Sequence, residues 1–341
     1  MALTMVVLIC AWPAYFVYLR VQAWAPNLDR TTQVEPDVQL YRPNSELGYV
    51  ATPGKYRLTE IVKGVLGQLS YDVTILEDHS RATSPEKEEQ QKKDKPQIWI
   101  FGCSFTWGQG LNDWETYPYK IQSKFPNYNV KNFGDNGYGT THSLVHLREL
   151  LNEGNRPAAI VIGHITWHDQ RNIGDPNYLQ ALYWFSAFSK KGMFGTLFEL
   201  ANYKIHVAVN GQEEAAKLAE FKFPVAFLNE STGEISVKAQ PMLPESLPAS
   251  GDPTKTTAAI LRDIGKLSAK VGVKPVLLRL WNDGADPLEK VYAELGFEFQ
   301  DALIEYNQNQ WNNNPWNNHP NNSANDVYAD KLGQVLKRVL K

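Results

Sequence analysis

The sequence predicts an α/β protein, a three-layer sandwich around a parallel five-stranded sheet. Three observations point there. A short apolar run at 97–102 (QIWIFG) and strand candidates at 128–133 (YNVKNF), 158–163 (AAIVIG) and 275–280 (PVLLRL) recur along the chain, with a fifth candidate at 297–303. Stretches of helical period separate them, at 116–125, 141–151, 254–271 and 286–295, and a closing helix candidate covers 324–340. Several runs end in glycine-bearing turns. Buried parallel strands read as continuous apolar runs, and strands alternating with helices give a parallel sheet covered on both faces.

The chain has 341 residues, 43% of them apolar, which is enough for one large domain with insertions and a substantial core. Residues 1–19 (MALTMVVLICAWPAYFVYL) carry no charged side chain and are closed by Arg20. That length lies near the lower end of the roughly 17–25 residues that span a bilayer, and Tyr15, Tyr18 and Trp24 suit an interface. We expect residues 1–20 to form a transmembrane anchor, ahead of a cleaved signal peptide or a buried helix. No basic residues precede the run and no clean small-x-small site follows it. Arg20 and Arg30 follow the segment, so the positive-inside rule alone would place the rest of the chain in the cytoplasm.

Residues 21–96 read as a linker and a small β element. The 25–55 stretch is rich in Pro, Asn and Asp and suggests linker. Alternation in LSYDVTI (69–75) marks a strand, and 84–96 (SPEKEEQQKKDKP) a solvated loop or frayed helix. Residues 97–341 form the main domain. Its rhythm breaks at 173–253, where an aromatic helix candidate (178–188) and a hairpin turning near 231–233 suggest an insertion able to cover a site as lids do. The stretch 307–322 reads as polar, asparagine-rich loop carrying Trp311 and Trp316.

Composition excludes some classes. Net charge is −3 with no long basic block, so there is no electrostatic footprint for nucleic acid. Cys10 and Cys103, the only two cysteines, cannot build a zinc ligand set, and there is no Walker loop or dinucleotide fingerprint. We expect no metal and no cofactor. His142 and His146 lie four apart in a helix candidate and read as face residues; His164 and His168 share the spacing outside a clear helix.

Ligands of open α/β sheets bind beyond the carboxyl ends of the strands. After the first main strand comes GCSFTWGQG (102–110), after the second NFGDNGYG (132–139), after the third GHITWHD (163–169), and before the last helix NNHPN (317–321). A serine between glycines can point its hydroxyl out of a strand-to-helix turn, and glycines permit close backbone approach to a substrate.

These four blocks, in this order, resemble the SGNH/GDSL hydrolase family, whose blocks read GDSFTxGxG, NxGxxGYG, GxND and DxHPN. The likeness runs from 97 to 340 and implies a flavodoxin-like sheet and an esterase or acyltransferase that works on ester bonds. It implies Ser104 as nucleophile and His319 as general base, since a serine is weak without a neighbouring base. It further implies an oxyanion hole from the backbone N–H groups of Ser104 and Gly137, with His168 standing in for the usual asparagine. Cys103 replaces the family's aspartate beside the nucleophile. Asn317 replaces the triad aspartate; it could orient His319 but would support the imidazolium poorly, and a comparable change in a serine protease costs about 10⁴ in rate. A Ser-His dyad, a carboxylate from elsewhere (Asp283, Asp301 or Asp326) and weak catalysis all remain open.

The expected function is removal of small acyl groups, acetyl above all, from an envelope carbohydrate. The alternatives are O-acyl transfer to a sugar hydroxyl, or a catalytically weak glycan-binding protein. The expected partners are an acylated carbohydrate and, through residues 1–20, a membrane. The family's habit places the catalytic domain on the envelope (periplasmic or extracellular) side.

Overall fold

A computed structural model describes residues 30–62, 64–175, 222–241, 251–282, 284, 286–305 and 308–340. The anchor expected at 1–20 lies outside them; among the described residues no helix is long and apolar enough to cross a membrane.

Strands β1 (Arg30–Glu35), β2 (Tyr41–Asn44), β3 (Gly48–Ala51), β4 (Gly54–Val62) and β5 (Leu69–Ile75) open the described chain. Three of these strands correct the linker reading of 25–55. They are short or at an edge, and the prolines that suggested a linker sit at their ends or on their edges, where no ladder bond is needed. β1, β4 and β5 form an antiparallel sheet, and β2 pairs with β3. Helix α1 (Glu86–Gln91) has no buried residue, as its charge run predicts. Lys92 just beyond it is buried, bonded to Glu89, Thr83 and Gln122, and burial pulls its ammonium down to about 8.

The main domain follows as β6 (Gln97–Gly102), α2 (Ser104–Trp107), α3 (Tyr117–Lys124), β7 (Asn129–Gly134), α4 (Thr140–Asn152), β8 (Ala159–Ile165) and α5 (His168–Asn172). After the insertion come α6 (Pro253–Lys270), β11 (Val276–Trp281), β12 (Glu298–Asp301) and α7 (Asn322–Val339). The five strands lie in the order β12-β11-β8-β6-β7, every pair parallel. Chain direction along the sheet reverses at β6, the switch point where such sheets place their ligands.

Period-two side chains divide β6 between the two faces. Ile98 and Ile100 pack with α3 and α7 (Ile121, Tyr328, Leu332, Leu336), while Trp99 and Phe101 pack with α4 and α6 (Leu144, Leu147, Ile260, Ile264). At about 25 cal/mol per Å² of apolar surface removed from water, these two clusters dominate the stabilising side of folding. The helix expected at 286–295 is instead a 3-10 turn (Glu289–Val291) among other turns. Asp286 accepts from the Leu288 N–H, the Tyr292 hydroxyl and Arg279, and this cluster outweighs the helical period of the segment.

The described part of the insertion is a hairpin, β9 (Lys222–Leu228) and β10 (Ile235–Pro241), with Phe223 and Val225 packed against Tyr49, Tyr138 and Val145. It therefore sits on the α4 side. The helix candidate at 178–188 lies outside the described residues. The N-terminal strands join the main sheet through Arg81, whose backbone bridges Ile75 and Asn132. The Arg81 guanidinium, fully buried, bonds Asp113 at 2.8 Å and the carbonyls of Trp107, Gly108 and Leu111.

Candidate active site

Ser104 opens α2 immediately beyond the switch-point strand. The turn is tight because Gly102 permits it: a Cβ there would lie 2.1 Å from Thr106 Oγ1. At the other end of α2, Gly108 (φ +90°) takes the left-handed conformation that glycine tolerates, and its N–H bonds the Ser104 carbonyl at 2.8 Å. Thr106 ties the first two motif blocks together. Its hydroxyl receives the Tyr117 O–H at 2.9 Å, and its carbonyl accepts from Asn132 Nδ2 at 3.0 Å. Asn132 Oδ1 in turn accepts the Gly134 N–H. Asn132 is thus a brace between blocks.

His319 comes from the asparagine-rich stretch, which is far more ordered than the polar loop its composition predicts. Its asparagines bond its own backbone: Asn312 Oδ1 accepts the Asn314 N–H, and Asn321 Nδ2 donates to the Gln310 and Asn312 carbonyls. Asn313 N–H reaches the His319 carbonyl at 3.0 Å, and Asn321 caps α7 by accepting the Ala324 N–H. So held, the His319 ring packs edge-on to Phe105 with centroids 5.6 Å apart. Its Nε2 lies 2.9 Å from Ser104 Oγ, across 215 residues of sequence. Ser104 is 6% exposed and His319 half-buried, so the pair sits at a rim that a substrate can reach.

Asn317 is placed otherwise than as a ring-orienting residue. Its Oδ1 accepts the His319 backbone N–H at 2.9 Å, and its Nδ2 donates to Glu60 Oε2 at 2.6 Å. The carboxylates suggested by sequence lie elsewhere. Asp301 pairs with Arg279 and Asp326 with Lys120, while position 283 lies outside the described residues. Glu60, on β4, is the residue that sequence reading missed. It sits in a segment without motif, 257 positions from Asn317, so only the fold could bring them together.

Cys103 is fully buried in the α3–α7 core, while its neighbour Ser104 faces the histidine. Gly137 has φ +78° and lies in the loop between β7 and α4. In that loop Asp135 accepts from the Tyr41 hydroxyl and the Asn136 N–H, and burial pushes its carboxyl up to about 7. His168 is fully buried, with Nδ1 3.3 Å from Thr140 Oγ1 and its ring 5.3 Å from that of His164. Among the described residues its Nε2 has no hydrogen-bond partner. Burial, together with the like charges of His164 and Arg171, holds its pKa well below the ordinary value, so the ring is neutral.

His142 and His146 are not surface residues. His142 Nδ1 accepts the Gly139 N–H at the start of α4, and its ring stacks on Tyr138 at 4.1 Å. The His146 ring packs against Phe101 and Phe133.

A cleft of about 240 Å³ is lined by Leu69, Ser70, Asn112, Glu115, Asn313 and Asn321 among others. It excludes Ser104 and His319 themselves. Gly110 brings it against the asparagine-rich stretch: this glycine lines the cleft, and a Cβ on it would lie 2.6 Å from Asn313 Nδ2 and 2.7 Å from Asn317 Nδ2. Trp114, three positions from the connecting loop's Leu111, is 55% exposed.

No protein-family model matches the chain. No curated protein matches it either. Among solved structures, a psychrotrophic esterase EstA from Pseudoalteromonas sp. aligns at 13% identity and a TM-score of 0.37, covering 72% of this chain and 99% of that one. TesA aligns at 13% and 0.36, covering 71% and 99%. A two-domain esterase active on acetylated mannans aligns at 11% and 0.36, covering 75% of this chain and 52% of the other. These overlaps are partial, and the fold and site described above stand on this chain's own strand order and distances.

Proposed function

We propose that the protein hydrolyses small acyl esters, O-acetyl groups on carbohydrate above all, with Ser104 as nucleophile and His319 as general base. The observation that carries this reading is the 2.9 Å contact between Ser104 Oγ and His319 Nε2 at the switch point of the sheet. The distance is within reach for proton transfer. As Ser104 Oγ attacks the ester carbonyl, its proton passes to His319 Nε2, which then protonates the departing alcohol. Water, deprotonated by the same nitrogen, attacks the acyl-serine and releases the carboxylic acid.

Charge develops on the carbonyl oxygen, and the proposed donors to it are the backbone N–H groups of Ser104 and Gly137 and the ring of His168. As the first residue of α2, Ser104 has no intrahelical acceptor for its N–H. A His168 whose Nδ1 accepts from Thr140 carries its proton on the unpartnered Nε2, which makes a neutral donor. The asparagine-lined cleft supports a neutral, hydroxyl-rich alcohol half such as a sugar. Residues 1–20, apolar and uncharged before Arg20, support tethering at a membrane; the envelope side for the catalytic domain follows from the family resemblance, against the flanking charges.

A fluorophosphonate probe and an acetylated oligosaccharide test the reading together. Covalent labelling and acetate release by the wild type, both lost in Ser104→Ala, are expected. Labelling that persists in Ser104→Ala, or a wild type that neither labels nor releases acetate, sinks it.

A further inference from the structure

The residue two before His319 is an asparagine, and its surroundings explain why. A backbone N–H can only donate, so the Asn317 oxygen must face the His319 N–H and its amide nitrogen must face Glu60. Glu60 Oε2 is then an acceptor. Glu60 Oε1 accepts the Tyr71 hydroxyl at 2.9 Å. Both oxygens of a carboxyl that is 4% exposed therefore accept hydrogen bonds, which favour its ionised form against the cost of burial. An aspartate at 317 would set a second carboxylate against the first at hydrogen-bond distance, and two such neighbours cannot both ionise.

We propose that Glu60 is a positioning residue for His319: its carboxylate fixes the Asn317 carboxamide, which fixes the histidine's backbone. Its negative charge also favours the imidazolium formed when Ser104 loses its proton. The charge that a triad aspartate would carry at 317 thus sits one side chain further back, on the N-terminal sheet. Gly110 belongs to the same arrangement, since only the lack of a Cβ lets it lie against the Asn313 and Asn317 side-chain amides. This inference rests on the Ser104–His319 reading.

The full-length protein with Glu60→Gln, Asn317→Asp and the double substitution provides the test. The readouts are kcat and KM on p-nitrophenyl acetate, the pH profile of kcat, and the His319 imidazole pKa by NMR. Glu60→Gln keeps the shape and removes the charge. It should lower kcat about 10–100-fold with KM unchanged, and move the acid limb of the profile and the imidazole pKa down by about 1 unit. Glu60→Gln with Asn317→Asp returns the charge nearer the ring and should recover at least about tenfold of kcat and bring the acid limb back up, whereas Asn317→Asp alone, facing Glu60, gains nothing. A purely structural Glu60 would give no such recovery. Wild-type kcat and an unmoved imidazole pKa in Glu60→Gln, or a double variant no better than the single, overturns the proposal. A Ser104→Ala control separates the two ideas. If wild-type turnover depends on Ser104 and Glu60→Gln is silent, only this inference fails; if turnover does not depend on Ser104, both fall.

Discussion

On the α7 side of the sheet, one histidine, His319, stands half-buried with its Nε2 on a serine hydroxyl. On the α4 side, four histidines gather: His142, His146, His164 and His168. Among the described residues each of those four keeps one buried ring nitrogen without a hydrogen-bond partner. Burial lowers the pKa of all four, to about 4 for His146 and His164. The same imidazole is therefore set up for opposite tasks. A ring in dry, aromatic surroundings stays neutral, because a charge there would lose its hydration with nothing to replace it. A ring at the rim with a hydroxyl partner can gain a proton and lose it again.

The largest effect expected from this contrast is on turnover. His319→Ala should lower kcat on p-nitrophenyl acetate by about 10⁴, and His168→Ala by about 10², the cost of one oxyanion donor. Equal losses in the two variants would dissolve the distinction between base and donor.

The second effect is on stability in acid. For the four α4-side histidines the folded pKa lies below the ordinary value of 6.5. Below pH 6.5 the unfolded chain binds protons that the folded rings refuse, so stability should fall as pH drops from about 6.5 toward 4. Urea unfolding at pH 7 and pH 5 measures this slope. His146→Phe, which keeps a ring against Phe101 and Phe133, should flatten it, whereas His319→Ala should leave it nearly unchanged. A slope insensitive to His146→Phe would remove His146 from the account.

The smallest effect concerns Gly110, at φ +81° against Asn317. Gly110→Ala forces a left-handed alanine and a Cβ into the Asn317 amide. It should cost about 1–3 kcal/mol in thermal or urea unfolding and lower kcat through the displaced 317–319 backbone. An alanine variant with unchanged kcat would show that Asn317 can shift without harm to His319.

Much of the main domain was legible. The strand candidates at 97–102, 128–133, 158–163 and 275–280 fall on β6, β7, β8 and β11 with ends shifted by at most two residues. Strands buried on both faces are mostly apolar, as β6 and β8 are, and β7 and β11 keep enough of that pattern to be read despite buried Asn132 and Arg279. The strands within 25–55 were hidden, because short edge strands tolerate prolines and polar residues. The turns at 286–295 read as a helix, because Leu288, Val291, Tyr292 and Leu295 fall at helical spacing even though turns rather than a helix bring them inward. The ordering of 307–322 was missed too: asparagine reads as loop, and nothing local reveals that its amides will bond the backbone of the same segment.

The sequence by itself determined the alternation of strand and helix and the identity of the serine, glycine and histidine blocks. Both are short-range properties, written in period and in neighbouring residues. The tertiary structure alone decided that Ser104 and His319 meet at 2.9 Å, that His142, His164 and His168 are buried, and that Glu60 stands behind Asn317. Those facts depend on chain closure over some 200 residues or on which face of a helix is buried, and no local pattern encodes either.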